Sequence, residues 1–501
     1  MKVITVGEIK NYREKLDKMF DVVTELDSAE QIDRADLSDA YLLIAHDSLH
    51  TFVGHWDIFD SLSDDRIGIL VWGELFRLSE EQQIIDRIEH LRQRGEWQTV
   101  KSANQALISF DFIKRRTRPN GLPNYMQIET TSYCNARCVM CIHYYEGNAG
   151  AKNIDKEFLD NISRELCCCY VVAINGMGEP FVHPDIEEII QGYANRSISL
   201  FANTNLSVMT PSLVKLIDDN FLCLEISCDG ATKESFESIR KNLSFDSFLK
   251  NMQALKDGCK KLQRNINMVI MRKNIHEMCM MVELAKSYGI SFVSFSNLQP
   301  NPVIGDESEC MYNYPAVLNY YCQQAYARAR ELGVAISCPI PEGEVITRDE
   351  NIDREERQML EDLSLRKVIS TEEMRKRAAA VENEHFLDVY PSDVPCVGIC
   401  EWALDRVYIN LDGDSSICCC RRLFTMGKID KENPLEKIWK GEKYQKIRSI
   451  FYSGRLPNCC INCGLLDTRR IKYLKILDVD KLHQESEFKK NIRHRLDESF
   501  G

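Results

Sequence analysis

Apolar stretches alternate with polar, helix-periodic stretches along most of the chain. Over residues 1–115 the runs MKVITV, AYLLIAH and IGILVW read as strands, and SEEQQIIDRIEHLRQRG carries the 3.6-residue period of an amphipathic helix, so a small α/β domain is predicted there. The segment RRTRPNGLPN (115–124) is basic and punctuated by Pro and Gly, as a linker is. From Tyr125 the alternation becomes regular. Strands are predicted at 125–131, 170–176, 197–203, 222–228, 265–271 and 291–297, with helices such as PDIEEIIQGYA, PSLVKLIDD and SFLKNMQALKDG between them. Repeated strand–helix units give a parallel sheet with right-handed crossovers. Six units fall short of the eight that close a full barrel, so an open, partial (β/α)6 barrel is expected over 120–338. Residues 339–395 are densely charged and read as a solvated helical connector; a cysteine-rich segment (396–466) and a mixed-charge helical tail (467–501) follow.

Composition adds two constraints. The formal charge of −13 argues against nucleic acid or an anionic membrane as a non-specific partner. The N-terminus lacks the apolar core of a signal peptide, and no apolar run reaches the ~18 residues of a membrane span, so a cytoplasmic protein is expected. Twenty-one cysteines in such a compartment are thiols or metal ligands, and none of the 21 precedes Cys134.

The chemistry begins directly after the first barrel strand. CNARCVMC (134–141) spaces Cys134, Cys138 and Cys141 as C-x₃-C-x₂-C. A structural zinc site needs four ligands, and His143 lies outside the usual spacing; three thiolates instead suit three corners of a cubane iron–sulfur cluster with one iron left open. Chemistry in parallel α/β folds gathers beyond the carboxyl ends of the strands, where this loop falls. NGMGEP (175–180) ends the second predicted strand, ANTN (202–205) the third, SCDGATKESFESIRKN (227–242) the fourth, and MRKNIHEM (271–278) the fifth.

This set of segments resembles the radical S-adenosylmethionine (SAM) enzymes over about 125–300. The resemblance implies a 4Fe–4S cluster on Cys134, Cys138 and Cys141 whose open iron chelates SAM, and reductive cleavage of SAM to a 5′-deoxyadenosyl radical. It also implies SAM contacts from Gly176, Gly178, Glu179 and Pro180, with Glu179 on the methionine amine; from Asn203; from Ser227 and Asp229 near the ribose; from Arg240 near the carboxylate; and from Asn274. Met140 departs from the aromatic residue usual before the last cysteine.

The segments CVGICEW (396–402), DGDSSICCC (412–420) and CCINC (459–463) resemble the C-terminal SPASM/twitch modules of the same enzymes, which carry auxiliary 4Fe–4S clusters. One auxiliary cluster is expected, on Cys400, Cys418, Cys460 and Cys463, with Cys396, Cys419, Cys420 and Cys459 as neighbours that could substitute; zinc also suits this spacing. Cys167, Cys168 and Cys169 end a helix with an apolar face and read as structural.

The expected reaction is hydrogen-atom abstraction from a small polar molecule (a sugar, aminocyclitol or related metabolite) leading to oxidation or epimerisation, with a flavodoxin- or ferredoxin-type electron donor. The alternative is modification of a ribosomally made peptide; a non-catalytic iron–sulfur or zinc protein is a distant third. For an epimerisation, Cys338 in VAISCP is the candidate hydrogen donor.

Overall fold

The computed structural model describes residues 2–7, 16, 22–32, 37, 40–45, 56–71, 74–141, 150–298, 309–361, 387–388, 400–419 and 425–460. Cys396, Cys420, Cys463, the tail 467–501 and most of the connector beyond Glu361 lie outside the described residues.

At the N-terminus β1 (Lys2–Val6), β2 (Val22–Leu26), β3 (Ala40–Ala45), β4 (Ile67–Val71) and β5 (Glu74–Arg77) form one sheet in the order β2-β1-β3-β4-β5. The first four are parallel, and β5 returns antiparallel on β4. β4 is buried on every residue, as a parallel strand covered on both faces is. Helices α1 (Glu81–Gln93) and α2 (Trp97–Ile113) follow. α2 is buried from Val100 to Ile113, because it packs between two bodies. Ala106, Leu107 and Phe110 join the core of the N-terminal sheet, whereas Val100 joins Trp402, Trp439 and Tyr444 near the C-terminus.

The second sheet is built from β6 (Tyr125–Ile128), β8 (Val171–Ala173), β9 (Ser199–Thr204), β10 (Phe221–Ser227), β12 (Gln263–Ile270), β13 (Phe292–Asn297) and β14 (Ala335–Ser337), all parallel. The two-residue strands β7 (Arg137–Cys138) and β11 (Arg240–Lys241) pair separately with each other. The sheet is covered by α3 (Ile186–Ala194), α4 (Pro211–Asn220), α5 (Lys233–Ile239), α6 (Phe245–Gly258), α7 (Met278–Ser287) and α8 (Pro315–Leu332). Three of these helices start on a hydroxyl N-cap: Thr210 accepts from Leu213 N, Thr232 from Ser235 N and Ser244 from Ser247 N. The architecture is a partial (β/α)6 barrel, with β14 added as a seventh parallel strand at its edge.

The C-terminal segment does not stand apart from this barrel. β15 (Arg406–Ile409) pairs parallel with β6, and β16 (Asp414–Ser416) and β17 (Thr425–Lys428) extend the sheet antiparallel, giving ten strands in the order β14-β13-β12-β10-β9-β8-β6-β15-β16-β17. The first barrel strand is thereby paired on both sides rather than left as an open edge.

Two expectations change here. The linker is pinned rather than loose: the buried Asp111 carboxylate accepts from Asn120 N and Gly121 N, Trp439 Nε1 donates to Gly121 O, and Arg448 Nη1 donates to Thr117 O. The charged segment after 339 is not wholly solvated either. Its helix α9 (Glu350–Glu361) buries Ile352 and Met359, seven residues apart on one face, in the barrel core. Glu355 on its polar side accepts from Val317 N at the start of α8. Cys168 and Cys169 are core residues, in line with a structural role.

Candidate active site

The cysteine loop leaves the carboxyl end of β6 and is held at both ends. Within it, Cys141 N donates to Cys138 O, and β7 lies antiparallel on β11, which places Cys138 opposite Arg240. Arg240 Nη1 donates to Cys138 Sγ at 3.7 Å, and its Nη2 lies 2.7 Å from Asp229 Oδ2. Burial pushes the Cys138 thiol up to about 12, and the Arg240 charge opposes that shift; Cys134 is pushed up to about 11 by the same cause. A thiolate at Cys138 therefore has its countercharge built in. Asp229 is fully buried between Arg240 and Val269 N, so burial raises its pKa while Arg240 opposes. Behind this pair, Glu277 accepts from Ala231 N and Thr232 Oγ1 and fixes the start of α5, the helix that delivers Arg240.

The glycine segment is pressed against the same loop. A Cβ on Gly178 would sit 2.4 Å from the carbonyl oxygens of both Thr131 and Tyr133, and one on Gly176 would sit 2.1 Å from Glu129 Cγ. Glu179 N donates to Tyr133 O, closing the contact. Only glycine permits this approach. The Glu179 carboxylate is buried: Oε1 accepts from Thr204 Oγ1 at 2.6 Å and Oε2 from Asn205 N at 2.6 Å. Burial pushes it up to about 7, against the hydrogen bonds from Asn205, Thr204 and Phe181. Asn205 Nδ2 in turn donates to Asn135 inside the cysteine loop.

Register along the strands builds a polar inner wall. Leu224, Ile226, Ile266, Met268, Val293 and Phe295 point into the helix-covered core, so the alternate residues line the other face. On that face Asn203, Glu225 and Asn265 form one row across β9, β10 and β12, and Ser227, Asn267 and Ser294 form the next. Glu225 accepts from Asn265 Nδ2 at 2.8 Å, and burial raises its pKa against that bond.

The expected site residues thus fall into groups. Cys134, Cys138, Cys141, Gly176, Gly178, Glu179, Pro180, Asp229 and Arg240 meet at the strand ends, with Asn203 and Ser227 on the adjoining wall. Arg240 and Asp229 face each other rather than presenting two separate contacts. Asn274 has a different occupation: its Nδ2 donates to Asp229 O and Val269 O and its Oδ1 accepts from Met271 N, so it clamps the ends of β10 and β12. Cys338 is not brought here. With Ile336 it packs on the helix-covered core beside Cys322 and Tyr326 of α8, and burial raises its thiol pKa, so its position does not favour a hydrogen donor.

Sequence reasoning missed Glu129, Thr204, Asn205, Asn135 and Tyr408. A buried glutamate at the end of the apolar run YMQIETT was the available signal for Glu129. Its Oε1 accepts from Met177 N at 2.9 Å and from Tyr408 OH at 2.5 Å, joining β15 to both loops. Tyr408 belongs to the same apolar cluster as Cys418 and Cys460, with Cys400 and Cys419 packed against it. Of the expected auxiliary ligands, Cys418 and Cys460 belong to this cluster and Cys400 packs against it; Cys463 lies outside the described residues.

These features fit a cluster-binding centre: three thiols from one loop, a guanidinium opposite one of them, and two glycines that admit no side chain. Among the described residues no three His, Cys, Asp or Glu side chains converge on a single metal ion, and a cubane needs no such convergence because each thiolate binds a different iron.

Two family models match this chain. Residues 128–285 match the radical SAM superfamily and residues 400–464 match the SPASM iron–sulfur cluster-binding domain, so the chain carries a radical SAM core followed by a SPASM domain, with 4Fe–4S clusters and SAM as the implied cofactors. Among curated proteins it is 30% identical over 195 residues to the mycofactocin maturase MftC of Mycobacterium tuberculosis, covering 38% of this chain and 48% of that one. It is 28% identical over 207 residues to the AdoMet-dependent heme synthase of Methanosarcina barkeri, covering 40% and 58%. The chain spans about half the length of the curated relatives it matches. Streptococcus suis SuiB, solved bound to S-adenosylmethionine, is similar at a TM-score of 0.47 and 16% identity over 78% of this chain and 88% of that one. No helix of the described residues is long and apolar enough to cross a membrane.

Proposed function

We propose that this chain reductively cleaves SAM at the Cys134–Cys141 loop, abstracts a hydrogen atom from a peptide substrate, and completes the modification with an iron–sulfur centre in the SPASM domain. The observation that carries the reading is the meeting of the three-cysteine loop, the Arg240–Asp229 pair and the buried Glu179 beyond the carboxyl ends of the parallel strands. A 4Fe–4S cluster with SAM supplies a 5′-deoxyadenosyl radical when bound there. Cys134, Cys138 and Cys141 are the ligands; Arg240 balances the charge of Cys138 and Asp229; Glu179 is oriented by Thr204 and Asn205 to accept from the SAM ammonium. The wall of Asn203, Glu225, Ser227, Asn267 and Ser294 offers the donors and acceptors that a peptide backbone requires.

The peptide reading takes precedence over the small polar metabolite expected from sequence because the relative at 30% identity is a maturase. A non-peptide substrate remains the second reading, favoured by the heme synthase among the relatives. Cys400, Cys418, Cys460 and Cys463 are the ligands we assign to one auxiliary cluster, and a flavodoxin- or ferredoxin-type protein to electron delivery. The test is co-expression with short open reading frames neighbouring the gene, followed by intact-mass analysis of the peptides. A peptide mass shift that depends on Cys134 supports the reading. No shift in any neighbouring peptide, together with turnover of a small metabolite, overturns it.

A further inference from the structure

The polar inner wall of the barrel holds one carboxylate that SAM binding does not use. Glu225 lies on β10, one inward-facing position deeper than Ser227 and so about 7 Å further from the carboxyl end of the strand. Its neighbours across the row are Asn203 on β9 and Asn265 on β12, and its neighbours on the same face of its own strand are Cys223 and Ser227. None of the four is a cation. Burial raises the pKa of Glu225 and only the hydrogen bond from Asn265 opposes that, so no cation among the described residues balances its charge.

This carboxylate is held in place with one oxygen engaged and the other open. Asn265 is fully buried; its Nδ2 donates to Glu225 Oε1 at 2.8 Å and to Cys223 Sγ at 3.3 Å, and its Oδ1 accepts from Gln263 Nε2 at 3.4 Å. With every polar atom of Asn265 committed, the amide fixes the orientation of Glu225. Oε2 accepts from no described residue and is not sealed from water. The wall around it is open in the same way: Asn203 is exposed, and Glu225, Ser227, Asn267 and Ser294 are partly exposed. An ionised carboxylate largely removed from water is costly without a countercharge, and a ligand that supplies the cation removes that cost. An anionic group would be repelled there, and a neutral acceptor would find no donor on the ionised Oε2. The position calls for a cationic donor.

We propose that Glu225 receives the cationic end of a lysine or arginine side chain of the peptide substrate, which enters from the carboxyl ends of the strands, with Oε2 accepting from the ammonium or guanidinium. The assignment deepens the peptide reading above and rests on it. Seated this way, the cation is the deepest point of the substrate, and the carbons nearer its backbone lie at the level of Ser227 and Asn267, on the side of the cysteine loop.

The probes are Nα-acetyl-lysine N-methylamide and its arginine counterpart, measured by equilibrium dialysis against the full, cluster-loaded chain, with Nα-acetyl-norleucine N-methylamide as the uncharged control. Salt at about 0.15 M screens attraction to the acidic surface beyond roughly 8 Å. We expect at least one cationic probe to bind about tenfold or more tighter than the norleucine compound, as a charge-assisted bond in a part-buried site provides. Glu225→Gln should remove that preference, and Glu225→Asp should keep part of it. Because Glu225→Gln deletes an unbalanced charge and keeps the size of the side chain, its melting temperature should equal or exceed that of wild type. Equal binding of all three compounds, or an undiminished preference in Glu225→Gln, overturns the assignment. Loss of the preference together with a melting temperature several degrees lower would make the carboxylate a group of the fold and overturn it as well. The peptide reading is judged separately by its mass shift: a modified peptide with no Glu225-dependent probe binding removes this assignment alone.

Discussion

Replacing Tyr408 by Phe deletes one oxygen and keeps the ring in the apolar cluster that includes Cys418 and Cys460. The lost group is the donor to Glu129 Oε1 at 2.5 Å, and Glu129 is 4% exposed, so water does not readily replace it. A buried hydrogen bond to a charged acceptor contributes about 1.5–3 kcal/mol, and here one bond to the carboxylate, from Met177 N, survives. The expected cost is therefore about 2 kcal/mol, or a fall in Tm of roughly 4–8 °C for the barrel. Because Glu129 packs on Gly176 and holds Met177, the loss is also expected to loosen the glycine segment and weaken SAM binding by several-fold. The assay is urea denaturation of Tyr408→Phe, Glu129→Ala and the double variant, with SAM affinity measured by equilibrium dialysis. A coupling energy above about 1 kcal/mol in the double-mutant cycle is expected. A cycle that closes additively, with Tyr408→Phe within about 0.5 kcal/mol of wild type, would refute the idea that this bond ties the two domains.

Two other outcomes follow from the site. Glu179, pushed up to about 7 by burial, is half protonated near neutrality and must release its proton to accept from the SAM ammonium. SAM affinity should therefore rise with pH up to about 7 and level off above it, with a slope approaching tenfold per unit on the acid side; Glu179→Gln should bind weakly with no slope. The same raised pKa means that the native state holds the extra proton between about 4.5 and 7, so this group's contribution to stability falls as pH rises through that window. Asp229 and Glu225 are also raised by burial, so an undiminished slope in Glu179→Gln would assign it to one of them and contradict the assignment to Glu179. For Gly178→Ala, the new Cβ meets two backbone oxygens at 2.4 Å and no flexible side chain can yield. A cost of about 3 kcal/mol or more and a sharp loss of iron bound at the cysteine loop are expected, and normal iron content would contradict the close-packing account.

The strands and the cysteine spacing were legible because they are local patterns. The wall of Asn203, Glu225 and Ser227 was visible only in part, since which parity of a strand faces inward depends on what covers the other side. The pairing of β15 with β6 was not legible: RVYI is short, and its partner lies some 280 residues away in the chain, so nothing in the local pattern specifies it. The Arg240–Asp229 pair was read as two independent contacts because spacing cannot show that β11 returns the arginine to the cysteine loop. Charge hid the buried face of α9, though not the helix itself: Ile352 and Met359 keep helical spacing among acids and bases, and that period should have outweighed the composition. Asn274 was correctly drawn to the strand ends, but side-chain amides there serve open backbone groups as readily as ligands.

The most direct test of the central claim combines iron content with SAM cleavage in the anaerobically reconstituted chain. Wild type should bind about eight irons, as two 4Fe–4S clusters, and release 5′-deoxyadenosine when reduced. The triple variant Cys134→Ala, Cys138→Ala, Cys141→Ala should keep about four irons and release none. Undiminished 5′-deoxyadenosine from the triple variant would contradict the assignment of this loop as the SAM-cleaving centre.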